Sequence, residues 1–147
     1  MMRIEENMLT PEIFRELFLA VGWEPPGREQ VERALESSLR TFTAYDGERA
    51  AGMARLLGDG AMSFYVKDFA VLPSYQRRGV GRRLMERMEG YVRGELKDGW
   101  AVSLELISAK GAEPFYEKLG FEPRPCEWDG AGMFKMLRRQ RTGQEEM

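Results

Sequence analysis

The chain has 147 residues, 43% of them hydrophobic and 31% charged, with a formal net charge of -2. That length suits one domain able to bury its own core, and the charge balance argues against general nucleic-acid binding, which shows as a strongly basic domain. There is no histidine and a single cysteine, Cys126, which excludes a histidine general base, a Ser-His-Asp triad, the common zinc sites and an intrachain disulfide, so no metal is expected. No apolar run is long enough for a membrane span, and no signal-peptide core follows Met1, Met2 and Arg3. The expected setting is the cytoplasm, without a membrane partner.

Thr10, Pro11 and Glu12 read as an N-cap, a proline at the first helical position and an acidic first turn, which predicts a helix over 11–21. A loop over 22–27 holds Trp23, Pro25 and Pro26, and a second helix over 28–39 places Val31, Ala34, Leu35 and Leu39 on one side. Strands over 41–45 and 50–57 are joined through Asp46-Gly47, a hairpin signal. The turn Gly58-Asp59-Gly60 leads into a third strand over 62–71. Along that strand, alternation sets Asp68 on the face of Phe64, Val66 and Ala70. A carboxylate on an otherwise apolar face is either paired or functional.

At Val71-Leu72-Pro73 the strand breaks into Ser74-Tyr75-Gln76-Arg77-Arg78-Gly79-Val80-Gly81-Arg82-Arg83 and restarts as a helix whose Val80, Leu84, Met88 and Val92 form one buried stripe. Glycines at 79 and 81 let the backbone turn tightly, so successive N–H groups can converge on one anion, and the flanking arginines favour it. A dinucleotide fingerprint wants a further glycine where Leu84 stands, and a Walker loop wants Gly-Lys-Ser/Thr where Gly81-Arg82-Arg83 stands. What remains is Gln-x-x-Gly-x-Gly. A strand over 101–107 then precedes Ala112-Glu113-Pro114-Phe115-Tyr116-Glu117-Lys118-Leu119-Gly120-Phe121, in which Gly120 reads as a helix C-cap and Phe121 folds back onto the core. One or two antiparallel strands are expected over 127–137 around Asp129-Gly130, and a polar tail over 138–147.

The two motifs, in this order and each in this secondary-structure context, resemble the two signatures of the GNAT superfamily of N-acetyltransferases. The resemblance implies a single α/β domain over 1–137, with a mixed, mostly antiparallel sheet of about six or seven strands flanked by about four helices. It implies acetyl-CoA as the acetyl donor. Main-chain groups of Val71 would meet the pantetheine arm, and the loop Gln76, Arg77, Arg78, Gly79, Val80, Gly81 and Arg82 would hold the pyrophosphate. Ser108 or the backbone would supply a contact that many relatives take from an asparagine where this chain has Ala109.

By the same resemblance Tyr116 would donate a proton to the departing sulfur, a step that suits a phenol protonated at neutral pH. Asp68, Glu105 or a chain of waters is left as the base, since the glutamate some relatives carry is Lys67 here. Trp23 and Tyr65 are candidates for the acceptor wall, and equally for core plugs. The acceptor is read as a small-molecule primary amine. A protein lysine or N-terminus, or a non-catalytic acyl-CoA-binding module, stand as alternatives. A homodimer joined at the edge of a final strand is the expected assembly, if the chain assembles at all.

Overall fold

The computed structural model describes residues 2–141. The chain forms two compact units, Met1–Ile107 and Ser108–Met147.

The first unit is built on a five-stranded sheet. The expected hairpin is β2 (Arg40–Asp46) and β3 (Arg49–Gly58), closed at Gly47 with φ 62°. Two strands flank it, β1 (Met2–Glu6) beside β2 and β4 (Phe64–Val71) beside β3, all antiparallel, while β5 (Leu104–Leu106) adds to β4 in parallel. Between β3 and β4, Asp59 accepts the backbone N–H groups of Ala61, Met62 and Ser63 at 2.8–2.9 Å on one carboxylate oxygen. A short side chain that binds the backbone ahead of it fixes such a turn.

Helices cover both faces of β3. α1 (Pro11–Ala20) begins at Thr10, whose side chain accepts the Ile13 N–H at 3.2 Å. With α2 (Arg28–Glu36) it buries Phe14, Leu17 and Val31 against Met53, Ala70 and Leu72. On the other face α3 (Val80–Glu95) buries Val80, Leu84, Met85, Met88 and Val92. It approaches so closely that a Cβ on Gly52 would lie 3.1 Å from Leu84 Cδ1 and 3.3 Å from Val80 Cγ1. Glycine is needed at position 52 for contact, not for turning.

β1 precedes the first element anticipated from the sequence. It is tied down by Glu6, which binds Arg40 at 2.9 Å and Arg87 of α3 at 2.8 Å. Burial alone would raise the Glu6 carboxyl, and the two guanidinium bonds outweigh it, holding the group below the usual carboxylate range.

In the second unit α4 (Glu113–Lys118) ends as the motif demands. The N–H of Gly120, at φ 96°, donates to Glu117 O at 3.0 Å, and that of Phe121 donates to Tyr116 O at 3.1 Å. The Phe121 ring then packs edge-on to Tyr116, centroids 5.9 Å apart. This paired bonding with an apolar contact across it is a Schellman ending.

The count of six or seven strands is corrected to five, because the segment 127–137 forms no strand among the described residues. The strand expected over 101–107 keeps only Leu104–Leu106. The tail expected over 138–147 is irregular and exposed as far as 141, and the rest lies outside the described residues.

Gly52→Val should destabilise the protein by about 1–3 kcal/mol through overpacking between β3 and α3. Urea denaturation checks this; an unchanged midpoint would mean that the two layers are not in contact at Gly52.

Candidate active site

The site begins with an irregularity in β4. Met53 pairs with Ala70 and Arg55 with Lys67, so Asp68 and Phe69 together oppose one residue of β3. This is a β-bulge, and Asp68 takes φ 52°, rare for a residue with a side chain. It overturns the expected alternation. Val66, paired with Leu56, lies on the α3 face, while Ala70, paired with Met53, lies on the face of α1 and α2. Asp68, bound to Arg55 on the α2 side, therefore falls with Ala70 and not on the face of Phe64 and Val66.

Its carboxylate accepts from Arg55 Nε at 2.7 Å. Arg55 is 9% exposed and also donates from Nη1 to Ala34 O at 3.3 Å and Ser38 Oγ at 3.2 Å, at the end of α2. A cation at a helix C-terminus meets the negative end of the dipole. One guanidinium thus joins β3, the β4 bulge and α2. Sequence reasoning missed Arg55, although a charge inside Ala50-Ala51-Gly52-Met53-Ala54-Arg55-Leu56-Leu57 is as conspicuous as Asp68 on its own strand. Each oddity implies the other.

Beyond the bulge β4 outruns its parallel neighbour. β5 pairs with it only at Phe64–Leu104, Tyr65–Glu105 and Val66–Leu106, while β4 continues to Val71. Strand main chain is thereby left on that edge for a ligand to pair with, just ahead of the glycine loop. Val71 pairs with Gly52 on its other side, and its carbonyl accepts from Gln76 Nε2 at 3.0 Å. The motif glutamine braces the strand end.

The loop turns through a short 3-10 segment, Pro73–Tyr75, then Arg77 at φ 63° and Gly79 at φ 84°, which is the N-cap of α3. No side chain caps this helix and no acid stands in its first turn. A Cβ on Gly79 would meet nothing within 4 Å, so the glycine serves its positive φ. The leading N–H groups of a 16-residue helix therefore remain for an anion, beside exposed Arg77, Arg78 and Arg82. Arg78 lies 4.8 Å over the Tyr75 ring, and the Tyr75 hydroxyl donates to Asp46 at 2.6 Å. The pyrophosphate of acetyl-CoA fits such a cradle.

The remaining candidates fall in several neighbourhoods. Tyr65 and Glu105 are register partners; burial first, then the Glu105 charge, raises the Tyr65 phenol. Ser103 Oγ donates to Glu105 Oε2 at 2.8 Å. Trp23 packs edge-on to Phe18, centroids 5.1 Å apart, at the margin of the α1–α2 core. A groove of about 720 Å³ lined by Leu9, Arg28, Glu32 and Leu35 includes none of the expected site residues.

In the second unit Ser108 donates to Ala109 O at 2.7 Å. Tyr116 is 8% exposed, packed edge-on to Phe115 as well as Phe121, and burial pushes its phenol up to about 12. Among the described residues no group of three or more histidine, cysteine, aspartate or glutamate side chains is placed to hold a metal.

A sheet edge that opens beyond a bulge and runs into an uncapped, glycine-entered helix offers main chain to an extended ligand and amides to its anion. Comparison with known proteins gives the family of the chain. Residues 37–123 match the GNAT acetyltransferase domain. The solved structure of a probable acetyltransferase from meticillin-resistant Staphylococcus aureus is 34% identical, with a TM-score of 0.81 over 93% of this chain and 100% of that one. A GNAT family acetyltransferase from Streptococcus pneumoniae is also 34% identical, with a TM-score of 0.78 over 95% and 100%. Serotonin N-acetyltransferase 2, chloroplastic, of Oryza sativa is 32% identical over 82% of this chain, which spans 60% of that protein. The chain belongs to the GNAT acetyltransferase family, acyltransferases that use acetyl-CoA as co-substrate.

Arg55→Leu should leave the Asp68 carboxylate half-buried without its guanidinium and cost about 3–5 kcal/mol. Arg55→Leu with Asp68→Asn should recover a substantial part of that loss. Urea denaturation of the four proteins in this cycle checks it; strictly additive losses would show that the two side chains do not interact.

Proposed function

We propose that the chain transfers the acetyl group of acetyl-CoA to a primary amine of a small molecule by direct attack in a ternary complex. The observation that carries this is the pairing of an open β4 edge with an uncapped α3 N-terminus immediately after it. Similarity to a serotonin N-acetyltransferase over most of this chain supports a small amine as acceptor. Tyr65 offers such an acceptor an aromatic wall beside a carboxylate, and Trp23 a second apolar surface.

Bound acetyl-CoA supplies an acetyl thioester. Main chain of β4 before Val71 holds the pantetheine arm, and the amides from Gly79 to Arg82 hold the pyrophosphate. The acceptor must shed a proton before it attacks, since an alkylammonium with a pKa of ~10.4 has no lone pair. We assign that proton to Glu105, directly or through water. Asp68 is the weaker candidate because its oxygen is committed to Arg55, and its part is to hold the bulge.

Tyr116 acts at the departing sulfur. A phenol at about 12 opposite a thiolate of ordinary basicity (~8.5) keeps its proton, because full transfer would run uphill by on the order of 5 kcal/mol. Tyr116 therefore serves by donating a hydrogen bond, and the proton that ends on sulfur comes from the acceptor nitrogen.

Release of free CoA thiol across small amines, amino acids and peptides tests the reading. Turnover on small amines should fall about 10²-fold in Tyr116→Phe and in Glu105→Gln. Turnover confined to peptides would replace the small-molecule acceptor with a protein one, and acetyl-CoA binding without any turnover would favour a sensing module.

The pH profile gives a separate check. A raised phenol stays neutral between ~10 and about 12, where a free tyrosine would ionise, so kcat should rise with acceptor deprotonation and show no decline through the ordinary phenol range. A basic limb near ~10 that disappears in Tyr116→Phe would overturn the role given to this residue.

A further inference from the structure

Arg78 stands in the glycine loop, yet its side chain is held by residues outside the motif. An exposed arginine has many rotamers, and an anion that binds it must freeze them. Two contacts narrow that choice beforehand. Arg78 Nη1 donates to Ser74 O at 3.3 Å, and the guanidinium lies 4.8 Å over the Tyr75 ring. Tyr75 is the fixed point of this arrangement. Its N–H donates to Leu72 O at 2.8 Å, its ring packs against the core that α1 and α2 close, and its hydroxyl donates to Asp46 at 2.6 Å.

Asp46 ends β2, 29 residues before Tyr75, and belongs to the hairpin rather than to the loop. The bond from Tyr75 is the largest cause holding the Asp46 carboxyl below the usual carboxylate range, and the same bond raises the phenol. Through neutral pH the carboxylate keeps its charge and the phenol its proton, so the bond between them is a charge-assisted one. It fixes the orientation of the ring and adds to the negative potential of the face that attracts Arg78. The loop and the first turn of α3 hold Arg77, Arg78, Arg82 and Arg83 and no acid in that turn. A carboxylate that reaches this loop through a phenol steadies one of those cations before any anion arrives.

We infer that Asp46 is a positioning residue for acetyl-CoA: through the Tyr75 ring it holds the Arg78 guanidinium beside the N-cap of α3, where it pairs with the pyrophosphate. Asp46 acts on the cradle of the proposed function, so its role rests on that reading. The amides of the glycine loop meet any anion that enters, whereas the brace supplies a cation already in place, which lowers the ordering cost of binding. Loss of the brace leaves the amides intact. Binding therefore weakens and does not vanish.

Isothermal titration of the full chain with CoA, and in parallel with 3′-dephospho-CoA, tests this without turnover. Asp46→Ala should weaken both ligands about three- to tenfold. Tyr75→Phe, which keeps the ring and its packing, should do so to a similar degree. Asp46→Asn retains an acceptor for the phenol and should recover part of the loss. With Arg78→Leu already in place, Asp46→Ala should cost nothing further. Unchanged affinity in Asp46→Ala and Tyr75→Phe overturns the inference, as does an equal loss with and without Arg78. A loss confined to CoA overturns it too, because it places Arg78 on the outer phosphate. If Asp46→Ala does not fold, Tyr75→Phe with and without Arg78→Leu decides. A wild-type protein that binds neither ligand would overturn the cradle itself, a result distinct from intact binding that Asp46 does not influence.

Discussion

The contact on which the rest depends is the bond between Arg55 and Asp68. A guanidinium in the middle of a buried strand is costly unless its charge and its N–H groups are satisfied. Here Asp68 takes the charge, while Ala34 O and Ser38 Oγ take a further nitrogen. Asp68 can reach only because β4 bulges, and the bulge reverses which residues of that strand face which helix layer. The same irregularity falls just past the last residues that β4 shares with β5. A structural ion pair and the opening that admits a ligand are thus two sides of one distortion.

Local chemistry made much of this fold legible in advance. The Thr10 cap, the Asp46-Gly47 hairpin, the glycine entry to α3 and the Gly120 ending are each decided by a few neighbouring residues, and each stands where the sequence puts it. What escaped depends on residues far apart in the chain. The bulge follows from a partner thirteen residues away, so strict alternation misplaced Asp68. Gly52 gives no turn signal, because its role is defined by Leu84 and Val80 across the layer. β1 is short and carries three charges in its neighbourhood, and its place is fixed by Arg40 and Arg87 rather than by its own pattern.

The candidate site divides in the same way. The loop from Gln76 to Arg82 is visible as a motif, since its function is carried by backbone that only glycine permits. The roles of individual carboxylates are less visible, because pairing decides them. Asp68 and Glu105 look alike in the sequence, yet one is bound to a buried arginine and the other lies beside Tyr65. The burial that raises the Tyr116 phenol also comes from packing, on Phe115 and Phe121.

Strand order in the sheet is simply chain order. The pairings of β2 with β3 and of β3 with β4 therefore close short spans of chain, whereas β1 with β2 must wait for α1 and α2 to fill the gap from Glu6 to Arg40, and β4 with β5 for α3 to cross from Val71 to Leu104. These two spans are nearly equal in length and in closure cost, but β4 with β5 is rewarded with three residue pairs where β1 with β2 makes five. The joint at which the ligand would enter is accordingly the last to form on folding and the first to open in the native protein. A fold so wired can admit a long cofactor arm by local breathing at one seam, leaving the hairpin beneath it undisturbed.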